Sequence, residues 1–228
     1  MAQSATFQEG VSGAGTFKDG SLWSAGARSG TATTAPVGVA SDRGSTVAKR
    51  VIIQMGLDEI PDKATVTSGI LTLNVTGAAS GTANTLVATL STETDWTESG
   101  SYPSWAAKDG SNNWSTAGGS IDSPSVECGL LPTSTGAHTI DITRLVRDAV
   151  EKRSKVLNIV LKDKLEGTGG AFDTFTMSTG DSTTTGNRPK LSVKYVEGGG
   201  AAGKMRAATM RSGSRRSAAK KNRRLFRR

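Results

Sequence analysis

The stretch KRVIIQMGLDEIPDKATVTSGILTLNV, residues 49–75, contains two segments in which every second residue is apolar. The alternating apolar residues are Val51, Ile53, Met55 and Leu57 in the first segment, and Leu71, Leu73 and Val75 in the second. Such alternation is typical of a strand with one face on a core and the other toward solvent. Between the segments, EIPDKATV is typical of a turn around Pro61-Asp62. The stretch therefore predicts two β-strands joined by a turn.

Further strands and one helix are predicted along the rest of the chain. Strand-like segments are LVATL (86–90), VLNIVLK (156–162), AFDTFTMS (171–178) and KLSVKYV (190–196). One segment has a helical period instead, with apolar residues at i, i+3, i+4, i+7 and i+8: Ile142, Leu145, Val146, Ala149 and Val150. This pattern predicts a helix over 141–152 with Asp141 as its N-cap. One helix packed on many strands indicates a mainly β fold, a sandwich with a helical cover.

Composition divides the chain into three parts. Residues 1–197 are predicted to form a single body, from which the Gly-, Ser-, Thr- and Ala-rich residues 18–48 extend as a long loop, with at most a short strand near Thr16 or Trp23. The sequence GGGAAG (198–203) is typical of a flexible linker. It is followed by a basic arm, residues 204–228, that contains eleven Lys or Arg and no acid. The chain as a whole has 28 basic and 20 acidic residues, which leaves residues 1–203 with 17 basic and 20 acidic residues.

The charge is therefore segregated into a body of net charge −3 and an arm of +11. Such an arm has too little apolar surface to fold alone, and we expect it to become ordered when docked on a partner. The partner is expected to be an acidic surface of another protein or, alternatively, nucleic acid through phosphate neutralisation. The residues predicted to bind it are Lys204, Arg206, Arg211, Arg215, Arg216, Lys220, Lys221, Arg223, Arg224, Leu225, Phe226, Arg227 and Arg228.

Four pieces of the sequence, in this order, resemble the DNRLRE-type jelly-roll module, which is also met as a family of carbohydrate-binding modules. They are the stretch 49–75, the segment that begins DWTESG at Asp95, HTIDITRLVRDAV (138–150) and RPKLSVKY (188–195). The resemblance covers about residues 5–196 and excludes the arm. It implies a jelly-roll β-sandwich of two antiparallel sheets.

Three tryptophans lie at nine-residue intervals in DWTESGSYPSWAAKDGSNNWSTAGG (95–119): Trp96, Trp105 and Trp114. We name residues 95–122 the tryptophan loop. The resemblance implies that such rings anchor a loop across one edge of the sandwich. Two alternatives stay open, a stacking platform for sugar rings and burial at a contact with another protein.

The sequence predicts no catalytic, metal-binding or cofactor-binding residue. His138 and Cys128 are single in the chain and are expected to be structural. The acids Asp95, Glu98, Asp109 and Asp122 cluster in the tryptophan loop, and paired carboxylates can hydrolyse glycosides or bind Ca²⁺. Their spacing matches no calcium-loop pattern, so we expect them to cap turns and to face solvent.

Two functions from different classes follow. The first is a non-enzymatic structural protein of a bacteriophage virion, a capsid decoration, neck or tail component held in an oligomer or lattice by other virion proteins and assembled in the host cytoplasm. The absence of a secretory signal or a membrane-spanning apolar run favours it. The alternative is a carbohydrate-binding module of a larger surface-associated system. A third interpretation, a nucleic-acid-binding protein that acts through its arm, lacks an evident basic face on the body.

Overall fold

The computed structural model describes residues 1–11, 15–25, 30–42, 44–81, 84–166 and 172–198. The predicted basic arm, and the predicted linker after Gly198, lie outside these residues. Residues 1–198 form one compact unit. The described strands are β1 (Ala2–Gln8), β2 (Phe17–Trp23), β3 (Thr34–Asp42), β4 (Ser45–Gly56), β5 (Thr65–Gly77), β6 (Thr85–Ser91), β7 (Ile121–Leu130), β8 (Gly136–Asp141), β9 (Val156–Asp163), β10 (Asp173–Ser178) and β11 (Lys190–Val196). One α-helix, α1 (Thr143–Lys152), and a short 3₁₀ turn at Thr185–Asn187 complete the described elements.

The predicted fold class is confirmed: the described chain is mainly β, with one helix and a curled antiparallel sheet in a sandwich-like arrangement. The strand order is β1-β11-β5-β10-β3-β4-β9-β6-β7, with β2 paired to β4 and β8 paired to β5. Strand β10 joins the two layers, because it pairs with β5 and also with β3. None of the helices in the described part of the chain has the length and apolar character that a membrane-spanning helix needs.

The stretch 49–75 supplies one long strand to each layer. Strands β4 and β5 follow each other in the chain but pair with different neighbours, β4 with β2, β3 and β9, and β5 with β8, β10 and β11. The connection between them, with Ile60 fully buried, carries the chain from one layer to the other. The alternating residues of both strands meet in one main core: Val51, Ile53, Met55, Leu57, Leu71, Leu73 and Val75.

The helix α1 covers this core beside β5, β7 and β9. Its buried apolar residues are Leu145, Val146 and Ala149, as the helical period predicts. The predicted start is corrected by two residues, because Asp141 is the last residue of β8 and Ile142 occupies the cap position. The Asp141 carboxylate still accepts a hydrogen bond from the Thr143 backbone N–H at 2.9 Å, so it satisfies one donor of the first helical turn.

The loop predicted over residues 18–48 is replaced in the structure by strands β2, β3 and the start of β4. The buried residues Ala35, Val37 and Val39 do alternate along β3, but they are small and give a weak apolar signal. Two of the glycines mark close approaches of backbone to other segments: Gly20 lies against Pro103, and Gly38 lies against the carbonyl oxygen of Asp173. Small residues therefore fill strand positions here where there is no room for larger ones.

Candidate functional site

The tryptophan loop covers the outer face of the layer formed by β2, β4 and β9. Leu22, Ile52 and Val160 point away from the main core and form a second apolar cluster with Trp96 and Trp114. Without the loop, these apolar residues would lie on a solvated face of the sheet. The loop therefore acts as a third layer over this part of the sheet. This explains why Ile52 and Val160 interrupt the apolar/polar alternation of their strands.

Two of the three rings are held firmly inside this cluster. Trp96 and Trp114 are 2% and 5% exposed. The indole N–H of Trp96 donates to Asn158 Oδ1 at 3.3 Å, and that of Trp114 donates to the Ser104 carbonyl oxygen at 2.8 Å. The ammonium of Lys18 lies 4.5 Å from the centre of the Trp96 ring. These contacts favour the interpretation of Trp96 and Trp114 as anchors of the loop.

The third ring, Trp105, is partly exposed and packs against the cluster from its edge. The guanidinium of Arg50 lies 4.5 Å from the ring centre, pairs with Glu166 at 2.8 Å and donates to the Gly118 carbonyl oxygen at 2.6 Å. Trp105 also lines a shallow groove of about 290 Å³ beside Ala48. Of the three rings, Trp105 is therefore the one that lines a groove open to solvent.

Three of the four acids predicted to cap turns or face solvent form ion pairs or hydrogen bonds with other residues. Asp95 pairs with Lys108 at 2.8 Å. Asp109 Oδ1 accepts the backbone N–H groups of the two turn residues 111 and 112 at 2.6 Å and 2.7 Å. Asp122 pairs with Arg153 at 2.9 Å. These carboxylates stabilise the loop and its junction with β7.

Glu93, to which no sequence pattern assigns a role, lies just before the loop and binds its middle and its C-terminal part. Its carboxylate accepts hydrogen bonds from the Lys108 ammonium at 2.9 Å, the Ser115 backbone N–H at 2.7 Å and the Ser120 hydroxyl. Desolvation opposes ionisation, but the hydrogen bonds from Lys108, Ser120 and Ser115 outweigh it and lower the pKa of Glu93 to about 2. Glu93 is therefore ionised at neutral pH and stabilises the loop in this charged form.

The fourth loop acid, Glu98, turns inward and meets two acids from distant parts of the chain. Glu98, Asp19 and Asp181 each place one carboxylate oxygen so that the three atoms lie within 4.8 Å of one another. Glu9 Oε2 and Asp19 Oδ2 both lie against Gly180. We name Glu9, Asp19, Glu98 and Asp181 the acidic cluster.

Burial raises the pKa of every member of the acidic cluster, and repulsion by neighbouring acids adds to this for Glu9, Asp19 and Glu98. Burial raises the pKa of Asp19 well above its ordinary value. Burial, with the charges of Asp181 and Glu9, raises the pKa of Glu98 to about 7. The pKa values of Glu9 and Asp181 are raised mainly by desolvation, which the nearby Arg188 opposes. These carboxylates are therefore in an environment that disfavours their charge.

Sequence reasoning misses the acidic cluster because its members come from four separate segments: the end of β1, the middle of β2, the tryptophan loop and the residues after β10. No local spacing connects them. The one available signal is Asp19 in the middle of a short strand, and it is hidden because the sequence predicts a loop there. The prediction that the chain has no metal-binding residue rests on spacing along the sequence and does not consider these four carboxylates together.

The remaining predicted residues have structural surroundings or lie outside the described chain. The His138 ring donates a hydrogen bond to the Ser134 carbonyl oxygen at 2.8 Å, and Cys128 packs against the main core. All the predicted arm residues, from Lys204 to Arg228, lie outside the described residues. Comparison of the chain with protein-family models and with curated proteins finds no match.

Proposed function

We propose that this chain is a non-enzymatic structural protein of a bacteriophage virion, a capsid decoration, neck or tail component that docks through its basic arm. The observation that carries the proposal is the segregation of charge, +11 in residues 204–228 against −3 in the rest of the chain. A basic terminal segment on an acidic body suits attachment to a partner of opposite charge. Jelly-roll and sandwich bodies are common building blocks of capsids.

The construction of the body supports a scaffold role. Residues 1–198 form a compact unit with its own core. The tryptophan loop adds a second apolar cluster on the outside of the sheet, which stiffens a face that is otherwise solvated. A rigid body of this kind is what a lattice component needs.

Among partners for the arm, an acidic protein surface is favoured over DNA. A decoration, neck or tail component must first hold to the protein lattice of the particle. The arm also carries the apolar pair Leu225 and Phe226 among its last basic residues, and such a pair suits a protein groove better than a phosphate backbone.

The test is incorporation into particles that lack this protein. Full-length chain and a chain that ends at Glu197 are each offered to such particles, and bound protein is quantified after sedimentation. We expect full-length protein to bind to a fixed stoichiometry and the shortened chain to bind poorly. Equal incorporation of the two would rule out docking through the arm.

The second candidate function, carbohydrate binding, rests on Trp105. Its ring is partly exposed beside a groove, next to the Arg50–Glu166 ion pair, and aromatic faces stack on sugar rings in carbohydrate-binding proteins. The resemblance to DNRLRE-type modules, which we propose as the family of the body, supports the same function. Glycan-array binding by the full-length protein that disappears in Trp105→Ala, with thermal stability retained, would favour this candidate over the virion scaffold.

A further inference from the structure

The acidic cluster brings four carboxylates together with few cations to balance them. Lys18 and Arg188 are the basic residues that face it within the described chain. Both are also engaged elsewhere, since the Lys18 ammonium donates to the Trp96 carbonyl oxygen at 2.6 Å and Arg188 Nε donates to the Ser182 carbonyl oxygen at 2.9 Å. Four carboxylates against two cations leave a formal charge of −2 at this point.

Two carboxylate oxygens of the cluster are buried with no hydrogen-bond donor among the residues that the structure describes. They are Asp19 Oδ1 and Asp181 Oδ2. Asp19 is 0% exposed, and its other oxygen, Oδ2, accepts the Gly180 backbone N–H. A buried carboxylate oxygen without a donor costs free energy that a bound cation recovers. The orphaned oxygens therefore indicate a positively charged ligand in this position.

We propose that the acidic cluster is a Ca²⁺ site that fastens the tryptophan loop to the sheet. The donors from the cluster are all carboxylate oxygens, which select hard cations over zinc or copper. Three of these oxygens lie within 4.8 Å of one another, so an ion between them would lie within a few tenths of an ångström of the usual Ca²⁺–oxygen distance of about 2.3–2.6 Å. Mg²⁺ demands a near-ideal octahedron at shorter distances, to which donors from three separate segments are poorly suited.

The position of the site gives the ion a structural role. Glu98 is two residues from the anchored ring of Trp96, whereas Asp19 belongs to β2, and Glu9 and Asp181 follow β1 and β10. An ion held by Asp19, Glu98 and Asp181 would join the loop to β2 and to the segment that follows β10. Since the unfolded chain cannot assemble these donors, binding would stabilise the folded state by mass action. This inference is independent of the arm and of the proposed function.

The experiment uses full-length protein freed of metal with a chelator, and Ca²⁺ as the only probe. Calorimetric titration and thermal unfolding are measured with Ca²⁺ and with Mg²⁺. We expect one Ca²⁺ per chain, a Tm that rises with Ca²⁺ concentration and a weaker response to Mg²⁺. No heat of binding and no shift of Tm with Ca²⁺, or a stronger response to Mg²⁺, would overturn the assignment.

Substitutions of cluster residues test whether the Ca²⁺ ion binds at this position. Glu98→Gln and Asp181→Asn each remove one charge from the cluster, and we expect Ca²⁺ affinity to fall by a factor of ten or more (about 1.4 kcal/mol). Asp95→Asn removes one charge from the same loop outside the cluster, and its affinity should equal that of wild type. Without Ca²⁺, Glu98→Gln should be at least as stable as wild type, because a repelling carboxylate is gone. Ca²⁺ affinity unchanged in both cluster variants, or a loss in Asp95→Asn equal to theirs, would contradict the proposal.

Discussion

Gly38 lies where β3 and β10 join the two layers of the sandwich. It has a φ of 133°, and a Cβ at this position would clash with the carbonyl oxygen and carbon of Asp173 on the neighbouring strand. Both the backbone conformation and the space therefore require glycine. Gly38 therefore allows the sheet to continue from one layer to the other.

We predict that Gly38→Ala lowers the free energy of unfolding by about 1 to 3 kcal/mol from backbone strain, with the clash adding to this. Gly100→Ala is the matched control, because a Cβ there meets no atom within 4 Å and its φ is not positive. That variant should be neutral or slightly more stable. Denaturant unfolding of both variants gives the comparison, and equal stabilities would show that the close approach of β3 to β10 is misplaced.

The second prediction concerns Glu93 and the pH dependence of the free energy of unfolding. Its pKa is lowered from 4.5 to about 2 in the folded protein, so its contribution to stability is present above pH 4.5 and is lost as the pH falls through about 2. We expect Glu93→Gln to be less stable than wild type at neutral pH and to show a shallower loss of stability between these two pH values. Unfolding free energies measured across this window check it, and parallel curves for the two proteins would contradict the role of the ionised carboxylate.

The third prediction concerns Trp114. A buried ring that anchors the loop contributes to stability, whereas an exposed ring that binds a ligand contributes little. The ring is 5% exposed, so Trp114→Ala should lower the free energy of unfolding by about 3 to 5 kcal/mol. Trp105→Ala should cost less, since that ring is partly exposed. Chemical denaturation of the two variants gives the values. Wild-type stability in Trp114→Ala would mean that the loop does not form the second apolar cluster.

At the scale of elements, α1 closes the core through one apolar face. Leu145 is fully buried, and Leu145→Asp would place a charge among apolar side chains. We expect a loss of several kcal/mol, or failure to fold, and Arg144→Asp on the exposed face is the control that should unfold near the wild-type temperature. Circular dichroism during heating measures both variants. A wild-type transition in Leu145→Asp would contradict the packing of α1.

The elements that the sequence predicts correctly are those with strong periodicity. Strands β4, β5, β9 and β11 alternate large apolar residues, and α1 repeats them at helical spacing. Strand β3 escapes prediction because small residues occupy its buried positions, and β2 is predicted only as a short strand near Trp23 because Asp19, Gly20 and Ser21 interrupt its apolar pattern. Strands β1 and β7, at the two ends of the strand order, expose most of their side chains and so carry little signal.

The candidate site is less predictable than the fold for a different reason. The burial of Trp96 and Trp114 follows from the high cost of exposing large rings, which composition alone suggests. The acidic cluster depends on the fold, since Glu9, Asp19 and Asp181 become neighbours only when β1, β2 and β10 are in place. No spacing rule along the chain can bring such residues together.

At the scale of the whole molecule, the chain consists of two parts with opposite charge. The body carries −3 and the arm +11, and the body packs as a unit of its own. Attraction between the arm and an acidic partner is screened over about 10 Å at 0.1 M salt. An attachment that depends on the arm must therefore weaken as salt is added, whereas one that depends on apolar contacts of the body must not.

The most direct measurement is the salt dependence of attachment to particles that lack this protein. Binding of full-length chain and of the chain ending at Glu197 is measured from about 0.05 M to about 0.5 M salt. We predict strong binding of the full-length chain that falls steeply with salt, and weak, salt-independent binding of the shortened chain. Equal binding of the two chains at every salt concentration would contradict the proposal that the basic arm holds this protein in its assembly.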